Sequence, residues 1–121
     1  MTEIQSTKRY DLEDRTLKYA KNVISLVNVI PNTLANTEIA RQLIRSAGSI
    51  GANYIEANGA LGKKDFVMRI KICRKEAKES RFWLNLITIN EDVIESKRLV
   101  LTRETEELIK IFNAIIVKTA Q

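Results

Sequence analysis

The chain contains no histidine and a single cysteine, Cys73, among its 121 residues. Without imidazole it lacks the one side chain that titrates near neutral pH when unperturbed, and also the commonest metal ligand; a lone thiol forms no internal disulfide. Much acid–base and metal chemistry is thereby excluded, and no cofactor is implied. Punctuation is scarce too, with Pro31 the one proline and only four glycines. Sheet proteins need more turn residues than that, so helices with short connections are expected. Long hydrophobic runs are also missing, since nothing approaches the ~18 apolar residues of a membrane span. The opening segment MTEIQSTKRYDLEDR has neither the apolar stretch nor the cleavage site of a signal peptide. A cytoplasmic protein with no membrane partner is the expectation.

Apolar residues make up 45% of the chain and charged residues 29%, which places it with ordinary globular proteins rather than with disordered ones. The length suits one domain spanning residues 1–121, with a short N-terminal tail over 1–10. From Asp11 to Ile30 the apolar residues Leu12, Tyr19, Val23, Leu26 and Ile30 recur at helical spacing, and Pro31 ends this first helix. Asn32 or Asn36 is a candidate N-cap for a second helix over Thr37 to Ala57, whose inner face carries Ile39, Leu43, Ala47, Ile50, Tyr54 and Ala57. Gly48 and Gly51 within it imply either a kink or a close backbone approach.

After the Asn58-to-Gly62 turn, Phe66, Ile70, Cys73, Ala77, Ser80, Leu84 and Ile87 alternate by four and three along a third helix, Lys63 to Ile89. A loop with Asn90, Glu91 and Asp92, and a helical turn through Val93 to Ser96, would lead to a last helix from Thr102 to Lys118, with Thr102 in a capping arrangement. The pattern predicts an all-α fold, an antiparallel up-and-down four-helix bundle. Between Leu108 and Val117 only Lys110 and Asn113 are polar. Such a helix asks for cover on a second side, and Ile109, Phe112 and Ile116 are the expected subunit-interface residues there.

Charge is concentrated in the third helix. Between Lys63 and Arg81 eight basic residues stand against three acidic ones, an excess equal to the net charge of the whole chain, +5. Lys63, Lys64, Lys71, Arg74, Lys75, Lys78 and Arg81 fall within one arc opposite the heptad core, a candidate surface for nucleic-acid phosphates. The competing reading is a merely solvated face.

Met68, Ile72, Trp83 and Leu86 share another face of that helix, suited to a subunit or partner interface or to completing a wide core. On the second helix Arg45, Ser49, Asn53 and Glu56 form a polar stripe. With Glu76 and Glu79 they are expected to form a structural seam in which inward charges are paired. A di-metal carboxylate centre of the ferritin-like kind would need a Glu-x-x-His pair that this chain lacks, so no metal site is expected. Cys73 sits at a core heptad position as a packing residue. The Gly48-x-x-Gly51 spacing is similar to a KH-domain loop, but that fold needs strands, and close helix packing fits better.

The segments RSAGSIGANYIEANGALGKKDF (Arg45 to Phe66) and KEAKESRFWLNLI (Lys75 to Ile87) resemble the bacterial four-helix-bundle family of 23S rRNA intervening-sequence proteins, also called S23-like. The likeness begins at Tyr10-Asp11-Leu12 and continues through Leu108 to Ile116. It implies an up-and-down bundle assembled into a ring-like homopentamer, in a family without an established enzymatic activity. A related branch serves as the basic accessory protein of diversity-generating retroelements, beside a reverse transcriptase and nucleic acid. In the turn, where the family commonly has basic residues and a capping Ser, this chain has Ala60, Leu61 and Gly62, which thins the cationic surface and removes a side-chain cap.

A non-enzymatic oligomer that binds RNA or DNA, or docks a nucleic-acid enzyme such as a reverse transcriptase, is therefore the leading expectation. The alternative is a protein-interaction scaffold working through Met68, Ile72, Trp83 and Leu86; a metal-dependent enzyme is a distant third.

Overall fold

Pro31 and the turn residues around it divide the first half of the chain into two helices, as the fixed φ and missing N–H of proline require. In the computed structural model, which describes the backbone of residues 2–120 and the side chains of residues 11–120, the order is α1 (Thr2–Val27), α2 (Leu34–Asn58), α3 (Lys63–Leu86) and α4 (Asp92–Ala120). No strand is present among the described residues. α1 packs on α2 and α4, and α3 packs on α2 and α4, so sequence neighbours are spatial neighbours and the bundle closes between its first and last helices. This is the expected up-and-down four-helix bundle.

Its core follows a four-three rhythm on each helix. Tyr19, Val23 and Leu26 enter from α1, Leu43, Ala47, Ile50 and Tyr54 from α2, Ile70, Cys73, Ala77 and Leu84 from α3, and Leu101, Leu108 and Phe112 from α4. At Gly51 α1 and α2 approach closely. A Cβ placed there would lie 3.0 Å from Thr16 Oγ1 and 3.3 Å from Thr16 Cβ, whereas one at Gly48 would meet nothing within 4 Å. Of the two readings of this glycine pair, close approach holds at Gly51.

Several boundaries differ from those expected, each for a physical reason. α1 is already helical at Thr2, where a tail was expected, and ends at Val27 rather than Ile30. α2 begins at Leu34, capped by Thr33, whose hydroxyl accepts from the Asn36 N–H, and not by Asn32 or Asn36. Asn36 is buried instead, and its side chain donates to the carbonyls of Pro31 and Thr88 and accepts from the Thr88 N–H. One amide thus ties the α1–α2 turn to the α3–α4 connection. α3 stops at Leu86, short of Ile89.

The largest departure is α4, which runs unbroken from Asp92 instead of starting at Thr102. Its inward positions are Ile94, Arg98, Leu101, Thr105, Leu108 and Phe112, in steps of four and three. Arg98 and Thr105 interrupt the apolar signal there, while Val93 and Val100 point outward, 71% and 63% exposed. Thr102 lies within the helix and donates to the Arg98 carbonyl, so it caps nothing. Arg98 itself reaches back to the end of α3, donating to the carbonyls of Ile87 and Leu84 while Glu95 holds it in a two-pronged ion pair. It supplies the positive charge that a helix C-terminus favours and that the last turn of α3 lacks.

The last helix is better covered by its own chain than expected. Ile109 and Phe112 are buried in the core of this single subunit, and Ile116, partly buried, packs against it. The bundle accommodates them because α4 lies in the concavity between α1 and α3; of its C-terminal apolar residues Val117 is the large one left outward, 60% exposed.

Candidate nucleic-acid interface

The α3 heptad determines what the helix shows to solvent. With Ile70, Cys73, Ala77, Ser80 and Leu84 turned inward, the opposite face carries Lys64, Lys71, Lys75 and Lys78, all exposed, with Lys63 exposed beside the helix start. The flanking cations are engaged differently. Arg74 is half-buried and donates to Asn113 Oδ1 of α4 at 2.8 Å, and Arg69 donates to Asn53 Oδ1 of α2 at 3.3 Å. Arg81 is also half-buried. The free part of the expected strip is therefore the lysine row rather than all seven residues.

Two carboxylates of α3 lie on the α2 side and are neutralised there. Arg45 donates to Glu76 at 3.2 Å and to Glu79 at 2.5 Å, and Trp83 Nε1–H donates to Glu79 at 3.3 Å. Burial alone would raise the Glu79 carboxyl, but the bonds from Trp83 and Arg45 hold it below its ordinary value. Asn53 donates to the Ser49 carbonyl and hydroxyl, whereas Glu56 stands exposed, apart from the Arg45 cluster. Arg45, Glu76 and Glu79 thus come together, while Asn53 and Ser49 form a separate group with Arg69. Of the three α3 carboxylates, Glu76 and Glu79 are paired by Arg45, and Asp65 stands exposed at the N-terminal end of the row. Among the described residues, Lys63, Lys64, Lys71, Lys75 and Lys78 take part in no ion pair.

The apolar residues singled out on this helix separate. Trp83 packs against the core and Ile72 is half-buried, while Met68 and Leu86 are about half exposed. Phe82, absent from the expected site, is 57% exposed and continues the lysine row. Its signal was present in the spacing, since it lies four residues after Lys78 and seven after Lys75 and outside the heptad. N-terminal to the row, Gly62 caps α3 without a side-chain hydrogen bond, as the Ala60-Leu61-Gly62 turn implied.

Chemically the lysine row can bind anions. Among the described residues no group of three or more potential metal-ligating side chains occurs. Cys73 is buried, and desolvation pushes its thiol up to about 12, far from a reactive thiolate. No helix among the described residues is long and apolar enough to cross a membrane.

Fold and surface together define an all-α bundle with a cationic outer helix. The profile of the 23S rRNA-intervening sequence protein family matches residues 8–114, and the chain belongs to that family. It is similar to a crystal structure of a protein of unknown function from the S23 ribosomal protein family of Bacteroides thetaiotaomicron, at 29% identity and a TM-score of 0.73, over 86% of this chain and 96% of that one. Neither description names an enzymatic activity. No curated protein matches the chain.

Proposed function

We propose that the protein is a non-enzymatic, cytoplasmic, oligomeric bundle that binds nucleic acid through the outer face of α3. The observation that carries this reading is the row Lys64, Lys71, Lys75 and Lys78, exposed and free of ion pairs while Glu76 and Glu79 beside it are held by Arg45. Phosphates neutralised by such a row release counterions, the main source of affinity in sequence-independent binding.

Self-association is supported by apolar surface away from this row. Leu17 and Ile24 on α1 and Ile44 and Ile55 on α2 are between 42% and 57% exposed, and Val100 stands at the lip of a groove between α1 and α4. Exposed apolar side chains mark protein contacts where they gather into a patch. The family resemblance points to a pentamer, and repeating a modest lysine row around a ring would multiply its avidity.

The test is fluorescence anisotropy of labelled RNA and DNA across a salt series, with Lys71, Lys75 and Lys78 replaced by Glu, alongside native mass spectrometry for subunit number. Affinity should fall with salt for the wild type and the slope should be shallower for the variant. Equal binding by both would favour a protein scaffold, a reading supported by half-exposed Met68 and Leu86 on the same helix.

A further inference from the structure

Lys71, Lys75, Lys78 and Phe82 follow one another on α3 by four, three and four residues, so they form a single outward stripe about 16 Å long. Charge alone would make this stripe indifferent to whether its ligand is paired or unpaired. Phe82 changes that. Its ring is 57% exposed and so contributes little to the core, yet its surroundings fix it. It meets Trp83 edge-on, with ring centroids 5.0 Å apart and planes at 76°. The Trp83 indole donates to Glu79, and Glu79 is gripped by Arg45. An exposed aromatic ring is thereby held in place at the end of a row of ammonium groups.

The two features call for different parts of a polynucleotide. Ammonium groups meet phosphates in any nucleic acid, but an aromatic ring on a convex helix meets a base face only where bases are unstacked and unpaired. A duplex offers that surface nothing beyond its phosphates. Resting on the nucleic-acid reading above, we infer that the ligand of the α3 stripe is single-stranded nucleic acid, with a base stacked on Phe82 and the adjoining phosphates on Lys71, Lys75 and Lys78. Met68 and Leu86, about half exposed near the two ends of the stripe, extend its apolar contact area. Stacking tolerates any base, so the preference is for strandedness and not for sequence.

The experiment compares labelled unstructured single strands, RNA and DNA of one sequence, with the corresponding DNA duplex, each titrated at several salt concentrations. The proteins are the wild type, Phe82→Ala, Phe82→Trp and the Lys71/Lys75/Lys78→Glu variant, with helicity checked by circular dichroism. Single strands should bind the wild type more tightly than duplex. Phe82→Ala should weaken single-strand binding by about fivefold or more while leaving duplex binding and the salt slope unchanged, and Phe82→Trp should retain it. Fluorescence of Trp83, the only tryptophan, should respond to single strands and not to duplex. The lysine variant should bind both ligands more weakly, its single-strand slope falling by about 2, roughly 0.7 for each lysine removed. The RNA and DNA arms show which strand is preferred.

If Phe82→Ala binds single strands as the wild type does while the lysine variant fails, stacking is wrong and charge alone acts. If the lysine variant also binds normally, or the wild type binds no nucleic acid, the underlying nucleic-acid reading falls as well and the stripe is a protein-docking surface.

Discussion

The hydroxyl of Tyr19 on α1 lies 2.6 Å from Thr105 Oγ1 on α4, in the middle of an otherwise apolar core. Thr105 gives its own proton to the Leu101 carbonyl, so the shared bond is donated by Tyr19 when that arrangement is populated. Ser80 of α3, whose hydroxyl also acts on the Tyr19 phenol, lies 2.7 Å from Ser46 of α2. Ser80 and Ser46 each bond a carbonyl of their own helix as well. One hydroxyl from every helix thus enters a layer across the bundle. Sliding or rotating α1 against α4 would leave the buried Tyr19 hydroxyl without Thr105, a cost that apolar packing alone does not impose, whereas the other three hydroxyls keep carbonyls of their own helices.

Replacing Tyr19 by Phe should lower stability by about 1 kcal/mol, the usual net worth of a hydrogen bond, with helicity retained. Urea unfolding measures it. Thr105→Val should cost more, because it removes the acceptor and leaves the buried Tyr19 hydroxyl to find another. Equal stability in both variants would mean the layer contributes nothing to the fold.

The two glycines of α2 should respond oppositely to the same change. Gly48→Ala gains helix propensity without meeting a neighbour and should stabilise by about 0.5–1 kcal/mol. Gly51→Ala gains the same propensity but pushes its methyl against Thr16. That side chain is buried and its hydroxyl is bonded to the Leu12 and Glu13 carbonyls, so it has little freedom to give. Thermal melts should show a raised midpoint for the first variant and a lowered one for the second.

Arg98→Met should destabilise by about 1.5–3 kcal/mol, as expected when hydrogen bonds to a charged group are lost. The methionine stem preserves packing, so the loss reports the carbonyls of Leu84 and Ile87 left at the end of α3. Arg98→Lys should recover only part, because an ammonium group cannot reproduce the fork that holds Glu95 and the helix end together. Hydrogen exchange should locate the loosening in the last turn of α3.

Periodicity made α3 legible because every inward position from Phe66 to Ile87 is apolar or small. The first half of α4 was hidden for the opposite reason, since Arg98 and Thr105 occupy inward positions and Val93, Leu99 and Val100 outward ones. Asn36 illustrates the same limit: a polar residue is buried where its partners allow it, and here they include Thr88, 52 residues away. In the candidate site the lysine row was readable from charge and spacing, and Arg45 with Glu76 and Glu79 from the need to pair charges near a core. Phe82 was missed although its spacing from Lys75 and Lys78 places it on the same face, because a search of that face for charge alone passes over an aromatic ring.

The alkaline limit of stability should be set first by Cys73. Burial raises its thiol from 9.0 to about 12, and burial also raises the Tyr19 phenol from 10.0 to about 12 against the opposing pull of the Thr105 and Ser80 hydroxyls. Both groups are acids whose folded values lie above their unfolded ones, so the unfolded chain loses protons first. Their contribution is intact below the unfolded values and declines as pH rises toward 12. Between pH 9 and 10 only the thiol has begun to act, and it should lower stability by up to about 1.4 kcal/mol per pH unit; above 10 the phenol adds to the slope. Cys73→Ala, although less stable in absolute terms because of the cavity it leaves, should show a flatter pH dependence between 9 and 10. Urea unfolding at pH 8, 9 and 10 makes the comparison. An unchanged slope in the alanine variant would mean that the thiol ionises within the folded bundle, and would contradict its enclosure between α2 and α3, where it donates to the Ile50 carbonyl.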